Sequence, residues 1–242
     1  MLAVWFLAGC GRVGFDAAGD DGGSPIDSIP ASAVFARYPL DDDFSATMMA
    51  RDVSGNGRHM TCAATSCPVR GQARLGGPMF AALFDGTNDS LLWQPIGGEA
   101  DLGNFTITAW IQPVRRPVDL EVIVARSVGM GPASSFALDH LFTGQLSYSS
   151  GFGESLFGTS ILAPATWTHV GFSYDGTVKR LYAGGVFDGA TNQVGVTYDS
   201  DPLLIGAHHS GGAMGHFFEG QIEDVIIFDR VLSDAEIALL AQ

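Results

Sequence analysis

The chain has 242 residues, of which 46% are hydrophobic, 16% are charged and 32 are glycine. This composition predicts one large domain of many short strands joined by tight turns, with enough apolar residues for a sizeable core. The formal net charge of −14 argues against nucleic acid as a partner and against electrostatic docking on anionic membranes.

The first ten residues form an apolar run that is too short to span a bilayer and that ends in Leu7-Ala8-Gly9-Cys10. This tetrapeptide resembles a bacterial lipobox, in which the cysteine is lipidated. The leader lacks a basic start and its apolar segment is short, which a start codon assigned too far downstream would explain. The alternative is a buried cysteine after an ordinary N-terminal segment. We interpret residues 1–10 as a lipoprotein signal segment with Cys10 as the lipidation site.

A lipid anchor at Cys10 predicts a bacterial cell-envelope protein, held at the outer membrane or displayed outside the cell, which touches a membrane only through its lipid. Residues 11–33 are rich in Gly, Asp, Ala, Ser and Pro and carry few large apolar side chains. Such a segment cannot bury enough apolar surface to order itself. We therefore predict a flexible acidic linker over 11–33 and a folded domain over 34–242.

Cys62 and Cys67 are separated by four residues. In an exported chain these two cysteines predict a disulfide that closes a small loop, and Cys10 is then used by lipid. The alternative is half of a zinc site, but the chain has no second cysteine pair to complete it.

Short segments rich in β-branched and aromatic residues follow one another at spacings typical of an all-β domain. In Phe105–Ile111, Phe105, Ile107, Ala109 and Ile111 share one face, and Trp110 makes the other face partly buried as well. The predicted strands are 34–40, 81–84, 90–94, 105–111, 122–125, 136–138, 145–148, 167–174 and 179–183, with a hairpin turn at 174–177.

The segment from Phe217 to Phe228 predicts a long final strand that is buried on most of both faces. Ile222 and Val225 have opposite parity, so either both faces are buried or a bulge at Glu223-Asp224 shifts the register. Ser233 and Glu236 then have the spacing of a helix capping box, which predicts one short C-terminal helix.

Several segments together resemble laminin-G-like domains of the concanavalin A-like lectin/glucanase jelly roll. They are Asp52-Val53-Ser54-Gly55-Asn56-Gly57, Leu83-Phe84-Asp85-Gly86-Thr87-Asn88-Asp89, the strand Phe105–Ile111, and Phe218-Glu219-Gly220-Gln221-Ile222-Glu223-Asp224-Val225 with Arg230-Val231-Leu232-Ser233. The resemblance covers about residues 34–242. It implies an all-β sandwich of two antiparallel sheets with a short C-terminal helix, and it is weak for function because this fold carries lectins, adhesion modules, glycanases and scaffolds.

The resemblance also implies that the loop carrying Asp52 and Asn56 can lie near the acidic pair on the last strand. Carboxylate and amide oxygens are the ligands that Ca²⁺ prefers. The predicted structural calcium site is therefore Asp52, Asn56, and Glu223 or Asp224. The alternative is a turn held by side-chain hydrogen bonds without metal.

The loop His208-His209-Ser210-Gly211-Gly212-Ala213-Met214-Gly215-His216 carries three imidazoles. A Zn²⁺ or Cu²⁺ site is one interpretation, and an exposed loop with incidental histidines or a ligand-contacting loop is the other. Sugar sites combine aromatic and polar groups. The predicted contact residues are Tyr148, Phe152, Tyr198, His208 and His209.

Glycoside hydrolysis needs two carboxylates about 5–10 Å apart, and related glucanases place them as E-x-D-x-x-E. The segment Asp119-Leu120-Glu121 and the stretch from Glu219 to Asp224 do not reproduce that spacing. We therefore predict a protein that is not an enzyme but a surface-displayed module recognising carbohydrate or a cell-surface protein. A structural envelope module without a small ligand and a divergent glycanase are the alternatives.

Overall fold

The described residues form two antiparallel sheets of eight strands each, with a small hairpin and two short helices at their margins. The computed structural model describes residues 29–242 apart from 130–132, 152–153, 193–195 and 211. Cys10 and residues 11–28 of the predicted linker lie outside the described residues.

The strands are β1 Val34–Tyr38, β2 Met49–Ala50, β3 Met60–Thr61, β4 Val69–Gly71, β5 Ala81–Asp85, β6 Leu91–Trp93, β7 Phe105–Pro113, β8 Leu120–Ser127, β9 Ser134–Leu141, β10 Gln145–Gly151, β11 Glu154–Ile161, β12 Thr168–Tyr174, β13 Val178–Ala183, β14 Val186–Asn192, β15 Leu203–Ile205, β16 His208–Ser210, β17 Ala213–Gly215 and β18 Glu219–Phe228. The helices are α1 Phe44–Thr47 and α2 Asp234–Leu240, and a 3-10 turn covers Ala31–Ala33.

The first sheet has the order β14-β13-β12-β7-β18-β5-β4, and β1 also pairs with β18. The second sheet has the order β11-β10-β9-β8-β15-β6-β3-β2, and β16 pairs with β17 in a separate hairpin. Runs of consecutive strands, such as β8 to β11, are joined in each sheet to strands from distant parts of the chain, such as β7 to β18, as in a jelly-roll sandwich. The predicted fold class is confirmed.

The core lies between the two sheets and follows the predicted alternation along β7. Phe105, Ile107, Ala109 and Ile111 are fully buried against the facing sheet. Aromatic rings dominate this layer, and Phe172 lies 4.5 Å from Tyr148 between ring centres. Burying each large apolar side chain contributes roughly 1.5–3 kcal/mol, so this layer supplies much of the stability.

Of the two interpretations of the parity change in the last strand, the structure shows the bulge. The pairing of β18 with β7 shifts between Glu223 and Ile226, and Asp224 has a φ of 47°. The extra residue restores the inward direction to Val225 and Ile227 and leaves Glu223 on the outer face. The bulge therefore lets one strand bury apolar side chains on both sides of its kink.

Helix α2 covers part of the outer face of the first sheet. Ile237 and Leu240 pack with Tyr182, Ile226 and Phe228 in a second apolar cluster. The predicted capping box is present, since Ser233 accepts from the Glu236 N–H and the Glu236 side chain accepts from Ser233 N–H. The sequence predicted α2 as the only helix, and the one-turn helix α1 corrects this. The Asp43 side chain caps it, and four residues are too few to show a helical period.

Some of the described residues of the predicted linker pack against the domain. Ile29 and Ala33 are buried in the same cluster as helix α2. Within the described part of the chain, neither helix has the length and apolar character that a membrane crossing requires.

Cys62 and Cys67 form a disulfide, as the sequence predicted. It closes the short loop between β3 and β4, and both cysteines pack against the core.

Candidate functional site

The outer face of the second sheet carries a row of side chains that lie outside the core between the sheets. Each member of the row lies directly opposite the next one on the neighbouring strand. The order is Val122 on β8, Asp139 on β9, Ser147 on β10 and Phe157 on β11. Directly opposed residues on antiparallel strands point to the same side of a sheet. Because Leu138, Leu146, Tyr148 and Leu156 belong to the core between the sheets, this row points outward.

A cavity of about 120 Å³ opens on this face, and we name it the Asp139 cleft. Its lining residues are Leu120, Val122, Ser134, Ala137, Asp139, Ser149, His208 and His216. It is smaller than the ~300–1,000 Å³ of a pocket that encloses a drug-sized ligand. The cleft therefore has room for one edge of a drug-sized molecule but not for the whole of it.

Asp139 is the central polar group of the cleft. The hydroxyls of Ser147 and Ser149 donate to its Oδ2 at 3.1 and 2.9 Å. The residue is only 4% exposed, and burial raises the pKa of its carboxyl to about 6, against the lowering effect of the two serines. No Lys or Arg side chain is among the described residues that line the cleft. Its carboxylate thus has hydroxyl partners but no cation.

The wall of the cleft comes from the β16–β17 region. His208 is buried, and its Nε2 lies 2.8 Å from Ser134 Oγ. Burial, with the neighbouring His216 and His209, lowers the pKa of His208 to about 4. His208 is therefore neutral at pH 7, and it lines the cleft as a hydrogen-bonding group without a charge.

An exposed aromatic ring stands beside the cleft. Phe157 is 59% exposed and lies two strands from Asp139, with Ser147 between them. Two strand spacings correspond to about 10 Å. An exposed phenylalanine ring offers a flat apolar surface against which a ligand can pack.

The four predicted calcium ligands are each engaged by protein groups. Asp52 accepts the backbone N–H groups of Arg37 and Ser54 at Oδ1 and that of Arg58 at Oδ2. These hydrogen bonds hold the pKa of Asp52 below its usual value, although burial acts to raise it. Asn56 donates its amide to the backbone oxygens of Val34 and Phe35, 3.0 Å away in each case.

Arg37 lies between the Asp52 loop and the last strand. Its Nε is 2.9 Å from Asp224 Oδ1, so the guanidinium forms an ion pair with a carboxylate that was predicted to bind calcium. Among the described residues, no group of three or more His, Cys, Asp or Glu side chains is placed to hold a metal ion. The side chains as placed do not fit one shared calcium site, and calcium binding stays a prediction of the sequence.

Glu223 lies on the outer face of the first sheet and is fully buried. Its Oε1 is 2.7 Å from Arg74 Nε, and its Oε2 accepts the Arg74 backbone N–H at 3.2 Å. The Arg74 guanidinium also lies 4.3 Å from the centre of the Trp110 ring. Burial raises the pKa of Glu223 to about 7, and Arg74 acts in the opposite direction. Glu223 therefore belongs to a closed structural cluster.

The predicted contact residues separate into different places. Tyr148 is 0% exposed in the core, so its prediction as a ligand contact is wrong; its strand register turns the ring inward. Tyr198 is half-buried, its hydroxyl donates to Leu102 O at 2.7 Å, and the Arg126 guanidinium covers its ring. His208 lines the cleft, whereas His209 Nδ1 lies 3.6 Å from Asp201. Phe152 lies outside the described residues.

Sequence reasoning missed Asp139, Ser147, Ser149 and Phe157. The signal for the first three was the alternation of apolar and polar residues in Phe136–His140 and Leu146–Ser149. It assigns the serines and Asp139 to one face, opposite to Leu138 and Tyr148. No comparable signal marked Phe157, because Glu154–Ile161 was not predicted as a strand.

A family model described as the concanavalin A-like lectin/glucanases superfamily matches residues 85–238. None of the curated proteins matches the chain. Domain 4 of the GH43 extracellular arabinanase AbnA from Geobacillus stearothermophilus, solved in complex with arabinotriose, is similar with a TM-score of 0.64 and 18% identity over 86% of this chain and 98% of that domain.

Trypanosoma rangeli sialidase in complex with sialic acid is similar with a TM-score of 0.65 and 16% identity over 88% of this chain. This chain spans 33% of that sialidase chain. At these identities the likeness to both structures concerns the fold.

Proposed function

The chain belongs to the concanavalin A-like lectin/glucanase superfamily, and from this membership we propose that it is a non-catalytic carbohydrate-binding module. The glycan lies on the outer face of the second sheet. Asp139 receives sugar hydroxyls in the cleft, and Phe157 packs against the apolar face of a sugar ring. The observation that carries the proposal is a nearly buried carboxylate that has no cation, opens on a cavity, and lies beside an exposed aromatic ring.

The chemistry of the cleft suits sugar hydroxyls. Hydrogen bonds to a charged acceptor contribute about 1.5–3 kcal/mol each, roughly twice those between neutral groups. Ser147 and Ser149 already hold the Asp139 carboxylate in place, so a ligand hydroxyl meets an oriented acceptor. Preorganised acceptors of this kind lower the entropic cost of binding.

The separation between the cleft and Phe157 favours a chain of sugars over a single sugar. Asp139 and Phe157 are separated by two strand spacings, about 10 Å, and this distance exceeds the width of one sugar ring. Neighbouring sugar units therefore contact the two sites together. The arabinanase domain with a similar fold was solved with arabinotriose, which supports an oligosaccharide as the ligand class.

The proposal of a non-catalytic role rests on the carboxylates of the cleft. Glycosidases place two of them about 5–10 Å apart around the scissile bond. Asp139 is the one carboxylate among the described residues that line the cleft. Glu121, on the neighbouring strand, accepts the backbone N–H of Glu219 instead.

Display on the cell envelope completes the proposed role. Lipid at Cys10 would anchor the chain, and the acidic segment that follows would hold the domain away from the membrane. The alternative partner is a cell-surface protein rather than a free polysaccharide.

A glycan array probed with the full, disulfide-bonded chain tests the proposal. Wild type, Phe157→Ala and Phe187→Ala are compared in calcium and in chelator. Phe187 is the matched control, because it is also an exposed phenylalanine, 49% exposed, but lies on β14 of the first sheet.

We expect wild type and Phe187→Ala to bind the same glycans and Phe157→Ala to lose at least tenfold in affinity. Binding that chelator abolishes would support the predicted calcium site as well. Absence of glycan binding, or binding unaffected by Phe157→Ala, would overturn the proposed site.

A further inference from the structure

Asp139 is the one acidic side chain among the described residues that line the Asp139 cleft, and none of these residues is Lys or Arg. The other ionisable side chains of the lining are His208 and His216. Burial and the neighbouring histidines lower the pKa of His208 to about 4, so that ring brings no positive charge at neutral pH. The whole chain has 26 acidic and 12 basic residues, so its field also repels anions.

We infer that the Asp139 cleft selects uncharged sugars and rejects sugars that carry a carboxylate, with Asp139 as the discriminating residue. This inference rests on the proposed function, because it names the class of glycan bound at the same site.

The geometry supports selection because the cleft offers acceptors and no cation. Proteins recognise planar carboxylates through arginine, which donates two parallel hydrogen bonds, or through a lysine. A uronic acid at the cleft would instead face Asp139, a residue that is 4% exposed and whose carboxylate is already fixed by two serine hydroxyls. Like charges close together in a partly buried site repel strongly, since water screens them poorly.

Three carboxylates elsewhere in the described residues lack this property because an arginine neutralises each of them. Asp224 pairs with Arg37, Glu223 with Arg74, and Asp175 with Arg180 at 2.7 Å. The Asp139 carboxylate therefore stays available to hydrogen-bond donors, and sugar hydroxyls are donors that bring no opposing charge.

The test uses gluco- and galacto-oligosaccharides, each beside the same oligosaccharide oxidised at C6 to the uronic acid. The full chain is titrated as wild type, as Asp139→Asn and as Asp229→Asn. Asp229 is the matched control, because it is an exposed aspartate at the end of β18 and its substitution changes the net charge equally.

Wild type and Asp229→Asn should bind the neutral form at least tenfold more tightly than the oxidised form. In Asp139→Asn the neutral form should bind more weakly, and the ratio should fall below threefold. The wild-type ratio needs no variant, so poor folding of Asp139→Asn cannot hide the result.

Equal or tighter binding of the oxidised form by wild type, still weakened by Phe157→Ala, would overturn the inference and leave the proposed function standing. A preserved ratio in Asp139→Asn would remove Asp139 from the discriminating role. Absence of binding to either form, and to every glycan on the array, would overturn the proposed function itself.

Discussion

The outer faces of the two sheets use buried carboxylates in opposite ways. On the first sheet, Glu223 lies under Arg74 and beside Trp110, and Asp224 meets Arg37. On the second sheet, Asp139 has two serine hydroxyls as partners and opens on a cavity. Helix α2 and its apolar cluster further cover the first face.

A raised pKa does not by itself mark a functional carboxylate, because Glu223 and Asp139 both have one. Burial raises the pKa of Glu223 to about 7 and that of Asp139 to about 6. The difference lies in the partner and the cover. A carboxylate that shares a closed cluster with arginine stabilises the fold, whereas one that faces a cavity without a cation is free to bind.

The largest expected effect is on the first sheet. Arg74→Ala leaves Glu223 buried without its cation, and breaking a buried pair typically costs about 3–5 kcal/mol. Because the pKa of Glu223 is raised to about 7, it is mostly protonated at pH 5 and charged at pH 8. We therefore expect a loss of about 3 kcal/mol at pH 8 and a smaller loss at pH 5, measured by urea unfolding.

Arg115→Ala is the control for this measurement, since Arg115 pairs with Glu219 but its side chain is half exposed. Exposed pairs contribute about 0–1 kcal/mol. Equal losses in the two variants at pH 8 would show that Arg74 is not part of a closed cluster.

The second expected effect has the opposite sign. The folded-state pKa of Asp139 is raised to about 6, so its stabilising contribution is present below its ordinary value near 4 and is lost as the pH rises through 6. Asp139→Asn cannot ionise, so the variant does not lose this stability as the pH rises. We expect the variant to be more stable than wild type by about 1–2 kcal/mol at pH 8, with the difference vanishing near pH 4.

Urea unfolding of wild type and Asp139→Asn at both pH values measures this difference directly. The comparison between variants is needed because Glu121, Glu223 and Asp89 also have raised pKa values and titrate in both proteins. A variant less stable than wild type at pH 8 would mean that Asp139 holds the sheet together.

The smallest expected effect is on Phe157. Its ring is largely exposed, so Phe157→Ala should change the free energy of unfolding by no more than about 0.5 kcal/mol. Thermal or urea unfolding checks this. A loss of several kcal/mol would place Phe157 in the packing of β11 instead of on a binding face, and its effect on glycan affinity would then lose its meaning.

The sequence could predict those parts of the fold that depend on local patterns. Alternation along Phe105–Ile111 predicted the buried face of β7, and Ser233 with Glu236 predicted the helix start. The change of parity around Glu223 indicated either a bulge or burial of both faces. Each of these follows from a few residues that are close together in the chain.

The candidate site could not be predicted in the same way, because it depends on which strands become neighbours. Asp139, Ser147 and Phe157 form one row only through the pairing of β9, β10 and β11. Likewise, the predicted calcium site took no account of Arg37, which β1 places against Asp224. Tyr148 was predicted as a contact residue because the sequence did not show the register of β10, which points its ring into the core.

The most direct test of the contrast between the two faces measures the affinity of one array-selected neutral oligosaccharide for wild type, Asp139→Asn and Glu223→Gln. Both substitutions remove one buried negative charge with little change in shape. Our account predicts at least a tenfold loss for Asp139→Asn and less than a twofold change for Glu223→Gln. Equal losses, or a larger loss for Glu223→Gln, would contradict it.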